Sequence, residues 1–174
     1  MGLRKGEVLG LKWTDVDLDK RTLTVRASLQ RIGGALVLVE PKSRQSRRTV
    51  ALPQTVIDAV RLHRARQLQE RLLAGSRWQD HGLVFSTTIG TPMDTRNLTR
   101  HFRKALRNAG LPLQRFHDLR HSCASLLLAQ GVHPRVVMEI LGHSQISLTM
   151  NTYSHVIDKL QHDAAAQIDA VLGA

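Results

Sequence analysis

Cysteine and tyrosine are nearly absent, with one of each among the 174 residues. A single cysteine, Cys123, excludes an intrachain disulfide, and its place in an apolar helical stretch predicts a buried thiol. A single tyrosine means that any reaction with a phenolic nucleophile must use Tyr153. No stretch approaches the apolar length of a membrane-spanning helix, and no internal repeat or low-complexity tract is present. We therefore expect a cytoplasmic protein.

Negative charge is also scarce. The chain has 14 Asp and Glu residues against 25 Lys and Arg residues, which gives a net charge of +11. A chain this basic favours a polyanionic partner such as nucleic acid, and a DNA-binding protein would associate with the nucleoid. Ribosome binding or a merely basic surface would produce the same charge, so composition leaves these alternatives open.

Hydrophobic periodicity predicts one domain of the α+β class that is mostly helical. Alternation at a period of two predicts a three-stranded antiparallel β-meander near the N-terminus, with a hairpin turn at Gly33-Gly34. Its strands are 22–27, 35–39 and 47–52. The predicted helices are 53–75, 94–109, a helix that begins at 117–121 and is closed by Gly131, 134–141, 144–152 and 156–174.

Apolar stripes on these helices predict which faces are buried. Trp13 is expected to pack against the core. In helix 53–75 the expected inner residues are Val56, Ile57, Val60, Leu62, Leu68, Leu72 and Leu73. In helix 94–109 they are Leu98, Phe102, Ala105 and Leu106, and in helix 134–141 they are Val136, Val137, Ile140 and Leu141.

Cationic residues are concentrated in two places. The loop before the last predicted strand carries four of them: Lys42, Arg44, Arg47 and Arg48. A basic hairpin tip has a suitable shape to enter a DNA groove, although a charge run is more often a solvated face. The outer side of helix 94–109 carries a second set: Arg96, Arg100, Arg103, Lys104 and Arg107.

Polar residues are clustered in the segment His117-Asp118-Leu119-Arg120-His121 and shortly after it. At helical spacing His117, Arg120 and His121 share one face near a helix N-terminus, which is suited to an anion. A solvated, mildly basic helix start explains the same spacing. Leu141-Gly142-His143 then predicts a helix end that presents His143 on a turn, and Tyr153 follows ten residues later.

His-x-x-Arg, Leu-Gly-His and the following tyrosine resemble the C-terminal signature of the tyrosine recombinases, the phage integrase family. Gly2-Leu3-Arg4-Lys5-Gly6-Glu7 resembles the first arginine motif of that family, and Pro41-Lys42-Ser43 resembles its β-hairpin lysine. The resemblance covers nearly the whole chain. It implies that residues 1–174 are a catalytic-domain fragment, without the DNA-clamping domain and first catalytic-domain helix that precede this motif in the family.

The resemblance implies a site-specific recombinase that cleaves and rejoins DNA without a metal or another cofactor, through a 3′-phosphotyrosyl intermediate. The implied catalytic residues are Arg4, Lys42, His117, Arg120, His143 and Tyr153. Tyr153 attacks the phosphate, the two arginines stabilise the transition state, and Lys42 protonates the leaving 5′-oxygen. His117 assists proton transfer and His143 hydrogen-bonds the phosphate.

Other residues are implied to have supporting roles. Glu7 is expected to orient an arginine, and Arg44, Arg47 and Arg48 are expected to contact DNA phosphates. The implied partner is double-stranded DNA, bound by four protomers. The tail 156–174 packs either on its own domain or on a neighbouring protomer, and the sequence does not distinguish the two.

Three other functions share parts of this pattern. A DNA-binding fragment without autonomous activity would keep the fold and lose the reaction. A type IB topoisomerase would use nearly the same residues for the same covalent step. A metal hydrolase could use His117, His121, His143 and His155, but an arginine beside these histidines repels a cation and the glutamate base of zinc proteases is missing.

Overall fold

A computed structural model of the chain describes residues 1–40, 46–142, 165–166 and 168–173. A short helix α1 (Lys5–Leu9) comes first and leads through a 3₁₀ turn (Trp13–Asp15) into the strands. The strands are β1 (Val16–Asp17), β2 (Thr22–Val25), β3 (Ser28–Ile32), β4 (Ala35–Val39) and β5 (Arg48–Ala51). Four longer helices follow: α2 (Gln54–Ala74), α3 (Thr95–Asn108), α4 (Asp118–Ala129) and α5 (Pro134–Leu141).

The prediction of a mostly helical α+β chain with a small three-stranded antiparallel sheet near its N-terminus is confirmed. In this sheet β2 lies between β1 and β5, with Val25 opposite Arg48. The strands of the sheet are therefore not all consecutive in the chain, and the predicted meander is wrong. Residues 35–39 instead pair with β3, a strand that the sequence did not predict. Gly33 and Gly34 have φ values of 56° and 85°, and this tight turn pairs Ile32 with Ala35 and sets the register of a separate hairpin.

The four long helices lie where hydrophobic periodicity placed them. The Asp94 side chain accepts a hydrogen bond from the Arg96 backbone amide and caps α3, while Pro134 occupies the first turn of α5. Gly142 ends α5 in the left-handed conformation, with φ of 67°. A glycine adopts this conformation without the steric cost of a Cβ atom, and it therefore stops the helix one residue before His143.

The prediction that the leucines of α2 face the core is wrong. Four of them are more than half exposed: Leu62, Leu68, Leu72 and Leu73. The buried face instead contains Gln67, whose amide donates to the carbonyls of Leu83 and Val84 at 3.1 Å and accepts from the Trp13 indole at 2.7 Å. This polar side chain can be buried because its amide hydrogen-bonds to the Trp13 indole and to backbone carbonyls inside the protein.

Smaller differences concern other predicted inner residues. Ala105 and Val136 are exposed, while their neighbours Leu106 and Val137 are buried. Cys123 is only partly buried, because it lines an open apolar groove between the first residues of the chain and α4. The expectation of a fully buried thiol is therefore corrected.

Two clusters of buried residues form the core. The first joins the three-stranded sheet to α2 and contains Leu11, Leu23, Val25, Val50, Leu52, Ile57 and Val84. The second joins α4 to α5 and contains Ala124, Leu128, Val137 and Leu141. Trp13 and Ile140 pack against the first cluster, as predicted for Trp13, so α5 touches both clusters. Among the described helices, none is long and apolar enough to cross a bilayer.

Candidate active site

The first turn of α1 pairs Arg4 with Glu7. The Arg4 backbone amide and its Nη1 each donate to the Glu7 carboxylate at 2.8 Å. The Glu7 side chain is 6% exposed and that of Arg4 is 43% exposed. Burial acts to raise the pKa of the Glu7 carboxyl, but hydrogen bonds from Arg48 and Arg4 outweigh it and hold that pKa below its ordinary value. Glu7 is therefore a buried anion that fixes the direction of a partly exposed guanidinium.

Arg48, at the start of β5, lies inside the protein. Its Nη1 and Nη2 donate to the two Glu7 carboxylate oxygens at 3.1 and 2.9 Å, and its Nε donates to the Ile140 carbonyl at 2.7 Å. Only 6% of the Arg48 side chain is exposed. The expectation that Arg48 contacts a DNA phosphate is therefore corrected, because its charge is already paired in the interior.

Arg120 and Arg4 meet at the end of α5. Arg120 is 3% exposed, and its Nη1 and Nη2 donate to the carbonyls of Gly2 and Leu141, each at 2.6 Å. Arg4 Nη2 lies 3.5 Å from the Gly142 carbonyl oxygen. The last carbonyls of a helix have no partners within it, so cationic donors are favoured there. Arg4 and Arg120 are far apart in the sequence, but they contact the carbonyls of two adjacent residues, Gly142 and Leu141.

His117 is an exposed residue at the N-terminal end of α4. Partial burial lowers the pKa of His117, and the neighbouring charges of His121 and Arg120 lower it further. The adjacent Asp118 acts in the opposite sense, but its carboxylate is bonded to Arg115 Nη2 at 2.9 Å. His117 is therefore neutral to a lower pH than an ordinary histidine.

Several predicted site residues lie outside the described residues: Lys42, Arg44, His143, Tyr153 and His155. Their roles stay predictions. Arg47 is described, with its side chain 53% exposed and 3.4 Å from the exposed Glu40 carboxylate. This exposure is what a DNA contact requires, and the role of Arg47 also stays a prediction.

A cationic groove lies beside the arginine site. It has a volume of about 440 Å³ and is lined by Lys5, Thr95, Arg96, Thr99, Arg100, Arg103 and Arg107. The sequence predicted the arginines of this α3 face but missed Lys5, whose position next to Arg4 was the available signal. Because Lys5 belongs to α1 and α1 contacts α3, the groove continues directly from the site. We call it the α3 groove.

The described part of the site is suited to an anion. Its charged groups are the buried Glu7 carboxylate, which is bonded to Arg4 and Arg48, and the buried Arg120 guanidinium, with the α3 groove adding further positive charge. Within the described ranges, no group of three or more His, Cys, Asp or Glu side chains is arranged to hold a metal ion. Both Nη atoms of the buried Arg120 already donate to carbonyls, so the contact of Arg120 with a phosphate stays a prediction.

Comparisons with known proteins agree with this geometry. The model of the phage integrase family matches residues 1–159. The chain is 39% identical over 180 residues to a tyrosine recombinase XerC-like protein of Caldanaerobacter subterraneus subsp. tengcongensis, an alignment that covers 97% of this chain and 46% of that protein. An integrase of Saccharopolyspora erythraea is 32% identical over 221 residues, covering 97% and 50% of the two proteins.

A solved structure shares the fold. The Tn1549 transposon integrase in complex with transposon right end DNA has a TM-score of 0.78 and 24% sequence identity, over 99% of this chain and 56% of that chain. The chain spans about half the length of the curated relatives described above.

Proposed function

Because the chain belongs to the phage integrase family, we propose that it carries out site-specific DNA recombination, cleaving and rejoining strands through a 3′-phosphotyrosyl intermediate on Tyr153. The observation that carries this proposal is the convergence of Arg4 and Arg120 on the carbonyls of Leu141 and Gly142. His143 follows these carbonyls directly in sequence. Two residues implied for phosphate binding therefore meet at one helix end, and a third is the next residue in the sequence.

The proposed cleavage step needs positive charge around the phosphate. As the Tyr153 oxygen forms a bond to phosphorus and the bond to the 5′-oxygen breaks, negative charge accumulates on the non-bridging oxygens. Arginine stabilises this charge well because its guanidinium stays protonated and donates two parallel hydrogen bonds. The buried Glu7 supports the role of Arg4 because it holds the guanidinium through Nη1 while the Arg4 side chain stays 43% exposed.

Proton transfer completes the proposed step. His117 accepts the proton of the Tyr153 hydroxyl, and Lys42 donates a proton to the leaving 5′-oxygen. The lowered pKa of His117 supports the first assignment, because a general base must be neutral at the working pH. A 5′-hydroxyl from another strand then attacks the phosphotyrosine, and the same groups act in reverse.

We assign double-stranded DNA to the α3 groove, to the exposed Arg47 and to Arg44. Arg96, Arg100, Arg103 and Arg107 recur at helical spacing along the side of α3 that lines the groove. One helical face of this kind can follow a phosphate backbone, and such contacts dominate affinity for DNA. The chain would then act in the cytoplasm, in association with the nucleoid.

Assembly on DNA is part of the proposal. Four protomers would hold two duplexes, and the tail would pack on a neighbouring protomer. Supporting this, the helical residues Ile168, Val171 and Leu172 are between 56% and 78% exposed. Apolar side chains this exposed along one short helix favour a partner surface.

The first experiment is a denaturing gel of the chain with a nicked suicide DNA, beside Tyr153→Phe and a binding assay at low salt. A slow-migrating covalent species that is missing in Tyr153→Phe is expected. Binding without adduct would instead indicate a DNA-binding fragment that cannot assemble its active site. Relaxation of supercoiled DNA without strand exchange would indicate a type IB topoisomerase.

A further inference from the structure

The Arg48 guanidinium bonds to two separate parts of the site at once. Its two terminal nitrogens bind both oxygens of Glu7, which belongs to α1, and its Nε binds the carbonyl of Ile140, which belongs to α5. Nη1 also lies 3.4 Å from the Ser46 carbonyl oxygen. All three nitrogens of the guanidinium thus have partners, and these partners come from segments far apart in the sequence.

Each of these bonds leads to a predicted catalytic residue. The Glu7 carboxylate that Arg48 binds also accepts hydrogen bonds from the Arg4 backbone amide and from Arg4 Nη1, so Arg48 helps to fix the position of Arg4. Ile140 precedes the Leu141 and Gly142 carbonyls that Arg120 and Arg4 contact. Arg48 therefore fixes the start of α1 relative to the end of α5.

Gly142 shows how closely Arg48 is packed against this helix end. A Cβ atom at Gly142 would lie 2.9 Å from Arg48 Nη1 and 3.1 Å from its Cδ. Glycine is required at this position by that contact and also by its φ of 67°. The backbone before His143 and the Arg48 side chain therefore cannot shift independently of each other.

We propose that Arg48 is a positioning residue for the strand-cleavage reaction, holding the Glu7 and Arg4 pair and the 140–142 segment in one fixed geometry. The proposal rests on the function proposed above. It differs from a DNA contact, because the side chain is buried, and from an ordinary buried ion pair, because the guanidinium also bonds to the backbone of a second element.

Lysine cannot replace arginine in this arrangement. An ammonium group has one nitrogen, whereas the geometry uses three nitrogens that point in different directions. Arg48→Lys keeps the positive charge beside Glu7 and loses the simultaneous contact with α1 and α5. The variant therefore separates positioning from charge.

The test compares Arg48→Lys with its exposed neighbour variant Arg47→Gln, measuring single-turnover cleavage at saturating suicide DNA together with DNA affinity at several salt concentrations. For Arg48→Lys we expect a loss of about 100-fold in the cleavage rate constant, with affinity and salt dependence unchanged. For Arg47→Gln we expect weaker binding and a slope of log affinity against log salt concentration reduced by about one, as for the loss of a phosphate contact. The reverse pattern, in which Arg48→Lys weakens binding but cleaves normally, would overturn the proposal.

Hydrogen exchange supplies a readout that does not depend on activity. The Arg4 amide donates to Glu7 and the Gly142 amide donates within the end of α5. In Arg48→Lys both amides should exchange faster at temperatures far below the unfolding midpoint, whereas amides in α3 should not change. If the unmodified chain forms no covalent adduct, the proposed function fails, and this exchange result alone decides whether Arg48 positions the site. Unchanged exchange at both amides would overturn the positioning role.

A second variant covers the case in which Arg48→Lys does not fold. Glu7→Gln combined with Arg48→Met removes both charges, and a pair removed together leaves no unpaired buried charge. This double variant should fold and still cleave slowly. Cleavage at the rate of the unmodified chain would show that neither residue positions the site.

Discussion

The imidazole rings of His117 and His121 lie with their centroids 5.0 Å apart and their planes inclined at 80°. They are one helical turn apart at the start of α4, so positive charge on His121 opposes protonation of His117. His121 is thereby one cause of the lowered pKa of His117, after partial burial of the ring. The neutral form of His117 persists below the ordinary histidine range.

This arrangement predicts a shift in the pH dependence of cleavage. A neutral His117 is needed as the base, so the rate should fall as pH drops through its lowered pKa. His121→Gln removes one charge that lowers this pKa, so the acid limb should move to higher pH. Single-turnover cleavage measured across pH tests this, with NMR titration of His117 as an independent readout. A limb that moves to lower pH would contradict the assignment.

Lys42 is predicted to act as an acid toward the leaving oxygen. Lys42→Ala should therefore lose cleavage of ordinary DNA and regain it with a 5′-bridging phosphorothiolate, whose sulfur leaves without a proton. The two substrates are compared in the same suicide-cleavage assay, with Arg120→Lys as a control that should not be rescued. If the sulfur substrate restores nothing to Lys42→Ala, a binding role is indicated instead.

The α3 groove is predicted to bind phosphates. Arg103→Gln should weaken DNA binding about equally for all sequences. It should also reduce by about one the steepness with which log affinity falls against log salt concentration. Affinity measured against salt concentration gives both quantities. Arg66→Gln, which removes an exposed arginine of α2 outside the α3 groove, is the matched control. Equal effects of the two substitutions would show that only net charge matters.

Gln67 is predicted to matter for stability and not for chemistry. Gln67→Leu leaves the Trp13 indole without its acceptor and removes the Gln67 donor from the carbonyls of Leu83 and Val84, of which Val84 keeps its contact with His63 Nε2. This loss should lower the free energy of unfolding by about 1–3 kcal/mol. Gln69→Leu alters an exposed position on the same helix and should change it little. Urea unfolding of both variants gives the comparison. An equal change in the free energy of unfolding of both variants would mean that the hydrogen bonds of Gln67 make no net contribution to stability.

The sequence predicted the helices well because their ends carry strong local signals. Asp94 begins α3, Pro134 begins α5 and Gly142 ends it, and each acts through its own backbone or that of its neighbours. The α2 face was harder to predict, because Gln67 is buried by partners at residues 83–84 that no spacing rule connects to it. Periodicity assigned the exposed leucines to the core for the same reason.

In the candidate site, too, the sequence predicted local motifs correctly and missed a contact between distant residues. The residues around His117 and Gly142 form local motifs, and the sequence placed them on the helix start and helix end where they are found. Arg48 was expected to contact a DNA phosphate, because its neighbours are cationic and nothing local shows that Glu7 lies beside it. Pairing between distant residues depends on the packing of β5 against α5, which one sequence does not reveal.

The pairing of Val25 with Arg48 across β2 and β5 also has a practical consequence. Residues 26–47 leave the sheet and return to it at neighbouring positions, so they form an excursion whose two ends are held together. A Cβ atom at Gly33 or Gly34 would have no heavy atom within 4 Å beyond its chain neighbours, so the turn lies in open space. A peptide tag or reporter domain inserted at this turn would therefore lengthen the excursion while the ladder kept Arg48 in register, and the tip would tolerate foreign sequence that the strand ends would not.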